Sequence, residues 1–149
     1  MKPALLVATV GGIGWIRFAP GTWGSLVALP AVLLGRSWIL LLAVLVGALG
    51  WVAVREVLRG RPSDDPGWIV VDETAGMLLA LAALPAGAGW VGAAVAFVLF
   101  RGFDILKPWP VSWADGLHGA TGVMLDDILA GAIVGAVLML FSFFLPGVL

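Results

Sequence analysis

Two pairs of adjacent acids, Asp72-Glu73 and Asp126-Asp127, each stand just before a long apolar run in a chain with nine acidic residues in all. Side-by-side carboxylates at the edge of hydrocarbon are costly unless a cation or a cationic partner neutralises them. Each pair is expected to open a helix, where the helix dipole eases negative charge. Neighbours on a helix diverge by about 100°, so one acid of a pair can ligate an ion while the other caps or orients. Oxygen ligands in a chain with one histidine and no cysteine suit magnesium, which favours phosphate-bearing ligands. The competing reading makes both pairs N-caps salt-bridged to arginines.

A second constellation is Arg101-Gly-Phe-Asp104-Ile-Leu-Lys107-Pro-Trp-Pro110. On a continuing helix Arg101, Asp104 and Lys107 recur at a spacing of three, so two cations and a carboxylate share one face until Pro108 stops the helix. A guanidinium grips phosphate oxygens bidentately and an ammonium adds a point charge; a ladder at the membrane interface, its cations reaching for headgroups, is the rival. The loop Ala19-Pro-Gly-Thr-Trp-Gly-Ser25 offers backbone amides and the hydroxyls of Thr22 and Ser25 to an anion. It lacks the lysine and spacing of a P-loop and also reads as a simple Gly/Pro turn. His118 is a candidate general acid or an interfacial packing residue, and Asp65 either joins the acids or sits in a solvated turn.

Composition says what must position these groups. The 149 residues are 62% hydrophobic and 11% charged, with a mean hydropathy of +1.12, against about 45–50% and about 25% in soluble domains. The chain therefore reads as a membrane protein in a single domain, 1–149, and a formal net charge of -1 gives no case for nucleic acid. Without cysteine, thiolate catalysis and Cys-ligated metal sites are excluded. The N-terminus lacks a small-residue cleavage site and is expected to be retained. Apolar runs lie at Leu5 to Ile16, Leu26 to Leu34, Trp38 to Val54, Ala75 to Phe100 and Ile128 to Leu145. Nearly every charge falls between them, in Arg17 to Ser25, Arg55 to Asp72 and Arg101 to Asp127. A span needs about 20 apolar residues; Leu26 to Leu34 is too short, and Ala75 to Phe100 is interrupted by Pro85-Ala-Gly-Ala-Gly89. That run is one kinked helix or a hairpin, and the hairpin is the more economical. Gly35-Arg36-Ser37 would fold Leu26 to Val54 likewise, keeping all three polar intervals on one side. Arg55, Arg59, Arg61, Arg101 and Lys107 assign that side to the cytoplasm, with Arg36 dissenting. The expected fold is all-α: a polytopic helical bundle with short or re-entrant helices and polar motif loops on one face.

Four stretches together, Ala19-Pro-Gly-Thr-Trp-Gly-Ser-Leu26, Ile69-Val-Val-Asp-Glu-Thr-Ala-Gly-Met77, Phe100 to Pro110, and Gly122-Val-Met-Leu-Asp-Asp-Ile-Leu-Ala-Gly131, resemble the phosphatidylglycerophosphatase A family. The resemblance runs from residue 19 to residue 131 in the family's order. It implies a magnesium-dependent, multi-pass inner-membrane phosphatase that converts phosphatidylglycerophosphate to phosphatidylglycerol, its active site facing the cytoplasm. Carried over residue by residue, it makes Asp72, Glu73, Asp126 and Asp127 the acidic, metal-binding centre, with Asp104 beside it. Arg101 and Lys107 become the phosphate-facing cations. Arg55 to Pro66 follows no obvious family pattern. The chemistry agrees: monoester hydrolysis needs neutralised charge and an aimed water. The Asp-x-Asp of haloacid-dehalogenase-type enzymes is absent, and one histidine cannot serve as both nucleophile and acid, so direct water attack is expected. An Asp-Gly-x-x-Ala-Arg phosphotransferase element is missing too. A small cation carrier or channel is the alternative, but it should hold its acids in mid-helix, away from Arg and Lys.

Overall fold

The structure is a computed structural model and describes residues 2–60 and 66–144; Asp64 and Asp65, with Arg61, lie outside the described residues. The described residues form seven α-helices and no strand: α1 (Pro3–Ala8), α2 (Pro20–Ala28), α3 (Arg36–Val57), α4 (Val71–Ala82), α5 (Gly89–Leu106), α6 (Val111–Asp115) and α7 (Gly119–Phe144). Helices α3, α5 and α7 are long and apolar enough to cross a membrane. The all-α membrane bundle anticipated from the sequence is the fold observed.

The interrupted run 75–100 is a hairpin. After Ala82 the chain turns through 83–88, where Pro85 lacks an N–H to continue a helix, and returns as α5. The run 26–54 folds similarly: α2 passes into a 3₁₀ turn, Leu29–Leu33, and Gly35 leads into α3. The bundle consequently has two distinct ends. At one, residues from Val32 to Ile39 and from Leu81 to Gly89 meet Met139 and Ser142 around a single cavity, with Arg36 beside Met139. At the other, Gly21 faces Glu73 and Arg101, and Lys107 reaches Asp126. The described residues of the three polar intervals thus share one end, and Arg36 is at the opposite one.

Close backbone approach between α4 and α7 fixes the depth of the acids. A Cβ at Gly76 would collide with the carbonyl oxygen of Asp127, and one at Gly131 with the carbonyl oxygen of Gly76. Further along, a Cβ at Gly135 would sit 3.0 Å from that of Ala83. Small residues let apolar helices pack where no hydrophobic driving force separates helix from lipid. Phe100, Met77, Leu81, Val134 and Leu138 fill the interior beside this seam, while Trp38, Val44, Leu49 and Val52 of α3 are exposed, as a lipid-facing surface requires.

Three local expectations are corrected. Asp126-Asp127 do not open a helix: α7 begins at Gly119, so they sit about two turns inside it, because nothing between 120 and 125 breaks helical geometry. The stretch 19–25 is not a loop but mostly the first turns of α2, started by Ala19 in the left-handed region and Pro20 at the first helical position. Lys107 does not continue the Arg101-Asp104 face. Pro108 disfavours right-handed helix at the residue before it, and Lys107 caps α5 with φ +45°.

Candidate active site

Two helices bring the acids together. Asp72 and Glu73 lie in the first turn of α4, and the α4–α7 seam sets Asp127 against them. One carboxylate oxygen from each of Asp72, Glu73 and Asp127 falls within 4.8 Å of the others. Asp72 and Asp127 are 7% and 3% exposed. Asp72 Oδ1, Glu73 Oε2 and Asp127 Oδ1 are buried without a hydrogen-bond partner. At that separation each pair of charges repels by about 3–4 kcal/mol in an effective dielectric of about 20, on top of the cost of leaving acceptors unmet. A divalent cation answers both deficits, and an all-oxygen set of three acids fits a hard ion such as magnesium.

Asp126, read from the sequence as a fourth ligand, is not in that group. It points to Lys107, whose Nζ donates to Asp126 Oδ2 at 2.7 Å and also to Asp115 Oδ1. Adjacent helical residues diverge, so Asp127 faces α4 and Asp126 faces the α5–α6 corner. Burial alone would lower the Lys107 ammonium, but the hydrogen bonds to Asp115 and Asp126 outweigh it and hold the group above the ordinary lysine range.

Arg101 donates through Nη1 to Asp104, one helical turn on, and the pair is largely enclosed. Its Nε is buried with no partner, an unspent donor beside the acids. Asp104 also lies close enough to Glu73 and Asp127 to act on both electrostatically.

The wall opposite Glu73 is α2. A Cβ at Gly21 would collide with Glu73 Oε1 and lie 3.3 Å from Arg101 Nη1. One turn on, Thr74 Oγ1 donates to the carbonyl of Gly24 at 2.8 Å, locking α2 to α4. Ser25 is fully buried and its hydroxyl donates to the Gly21 carbonyl at 2.9 Å, so it is spent within α2. Thr22 is half-buried on the same helix, and His118 is exposed just before α7, outside the acid cluster. Sequence reasoning missed Asp115 as a partner of Lys107 and Gly21 as a wall of the site. The recurrence of glycine at 21 and 24 was the available signal for the second.

A helical membrane bundle that gathers three unneutralised carboxylates with an arginine and a lysine at one end has the makings of a membrane phosphatase. Residues 6–142 match the family Phosphatidylglycerophosphatase A. The chain is 39% identical over 142 residues to the phosphatidylglycerophosphatase A of Escherichia coli strain K12, covering 92% of this chain and 82% of that protein. To the phosphatidylglycerophosphatase A of Haemophilus influenzae it is 38% identical over 148 residues, covering 95% and 89%. A protein of Bacteroides thetaiotaomicron, provisionally named a phosphatidylinositol-3-phosphatase, is 37% identical over 144 residues, covering 87% and 89%. No solved structure matches the chain. The chain belongs to the phosphatidylglycerophosphatase A family and is a phosphatase, which leaves the cation-carrier alternative without support.

Proposed function

We propose that this protein hydrolyses the terminal phosphate monoester of phosphatidylglycerophosphate, releasing phosphatidylglycerol and inorganic phosphate, with magnesium held by Asp72, Glu73 and Asp127. The observation that carries the reading is the buried triad of carboxylates with unpartnered oxygens, set against Arg101. Bound magnesium would supply charge neutralisation for the phosphate. Arg101 contributes the directional contact: with Nη1 fixed by Asp104, its free Nε–H is left to donate to a phosphate oxygen. Lys107 adds the second positive charge from the α5–α6 corner. Glu73, beside Arg101 and less enclosed than the two aspartates, orients the attacking water and takes its proton on Oε2. Asp126 holds Lys107 in place.

The site faces the cytoplasm of a bacterial inner membrane in this reading. Lys2, Arg55, Arg59, Arg101 and Lys107 all belong to the end that carries the acids, and Arg36 to the other. The chain has no cysteine, so single cysteines report topology without background. Positions 60 and 115 should label from the cytoplasmic side and position 87 from the opposite one; labelling of 60 and 115 from different sides refutes the arrangement.

The test of the activity is phosphate release from phosphatidylglycerophosphate by purified protein in detergent. Turnover should vanish with a chelator and return with added magnesium. Turnover indifferent to chelation overturns the metal assignment, and absence of turnover with any divalent ion overturns the substrate assignment.

A further inference from the structure

Lys107 carries two carboxylates, and they differ in how firmly they are held. The Asp126 side chain is 9% exposed and comes from the interior of α7, whereas the Asp115 side chain is 42% exposed, on the last residue of the short helix α6. Asp104, which holds Arg101, is also enclosed, with its side chain 13% exposed. Asp115 is thus the acid of this group that water reaches most freely.

With Asp72, Glu73, Asp104, Asp126 and Asp127 inside, an arriving phosphate dianion meets a site already rich in negative charge. Lys107 cannot attract it while Asp115 and Asp126 jointly overcompensate the ammonium, and a phosphate placed beside Asp115 would be repelled by it. Asp126 has little room to leave. Asp115 has open water on its outer side, and an exposed ion pair of this kind is weak enough to exchange.

Resting on the phosphatase reading above, we propose that Asp115 is a specificity-determining residue at the mouth of the site: it occupies on Lys107 the place the substrate phosphate takes, and is displaced into water when phosphate binds. The free enzyme keeps its lysine neutralised and oriented, and the exchange favours a dianionic monoester over singly charged phosphodiester headgroups, which repay less of the lost ion pair.

Asp115→Asn removes the competing charge and keeps the shape. It should lower KM for phosphatidylglycerophosphate, and the inhibition constant of inorganic phosphate, by about two- to fivefold, the size of one exposed ion pair, with kcat little changed. Asp115→Ser should act the same way, and Asp115→Glu should behave as wild type. In a Lys107→Met background Asp115→Asn should have no effect on KM. A residue that merely supported the fold would lower thermal stability without tightening phosphate binding. If Asp115→Asn and Asp115→Ser leave both constants unchanged or raise them while the wild type turns over, the exchange is refuted and the phosphatase reading stands. If the wild type itself releases no phosphate, the phosphatase reading falls instead.

Discussion

The two halves of the site solve opposite electrostatic problems. Along the α4–α7 seam, Asp72, Glu73 and Asp127 converge with unpartnered oxygens and, among the described residues, nothing positive in hydrogen-bond contact. At the α5–α6 corner, Arg101 is paired through Nη1 with Asp104, and Lys107 with Asp115 and Asp126. The first region is a set of acceptors that a cation could complete; in the second each cation already has an acid, with Arg101 Nε–H and Asp126 Oδ1 left over, and Lys107 must trade a contact to acquire a phosphate. A protein that binds both a metal ion and a phosphate gains from this division, because cations already paired with acids do not repel the metal from the seam.

Breaking the seam should have the largest effect. Asp127→Asn and Asp72→Asn each preserve size while removing a charge from the triad, and activity should fall on the order of a hundredfold or more, with magnesium affinity lowered in parallel. Near-normal kinetics in both would defeat the site assignment. Arg101→Lys keeps the charge but loses the planar fork, so kcat/KM should drop by about 2–4 kcal/mol in transition-state stabilisation while metal titration stays as in wild type. A parallel loss of metal binding would merge the two regions that the structure separates. Gly21→Ala is subtler: the new methyl must push Glu73 Oε1 aside, so magnesium affinity should fall about tenfold, the range of contacts that orient metal ligands. Unchanged affinity in a well-folded Gly21→Ala protein would remove α2 from the account.

How much of this the sequence disclosed depended on whether a feature was local. The hairpin at 83–88 was legible because Pro85 and its glycines break a helix whatever surrounds them. Asp72-Glu73 opening a helix followed from a polar pair before an apolar run, and α4 does start at Val71. The same logic misplaced Asp126-Asp127, since the residues preceding them, Gly119 to Leu125, are compatible with helix, and the polarity of the pair marks a site rather than a boundary. That these two neighbours serve different partners was half visible in helical geometry. Their identities were not, because Lys107 caps α5 and Glu73 lies on α4, and the pairing arises from tertiary packing. The glycines of the stretch 19–25 suggested an anion cradle, whereas the structure uses Gly21 and Gly24 for close approach to Glu73 and Val70. Both readings need residues without side chains, and sequence alone does not say what comes near.

Calorimetric titration of magnesium into detergent-solubilised wild type, Asp127→Asn and Asp126→Asn decides whether three carboxylates from α4 and α7 form a cation site with Asp126 outside it. Wild type should bind saturably, Asp127→Asn should lose binding, and Asp126→Asn should retain it, because there Lys107 rather than the metal loses a partner. Undiminished binding in Asp127→Asn, or equal loss in both variants, would contradict that site.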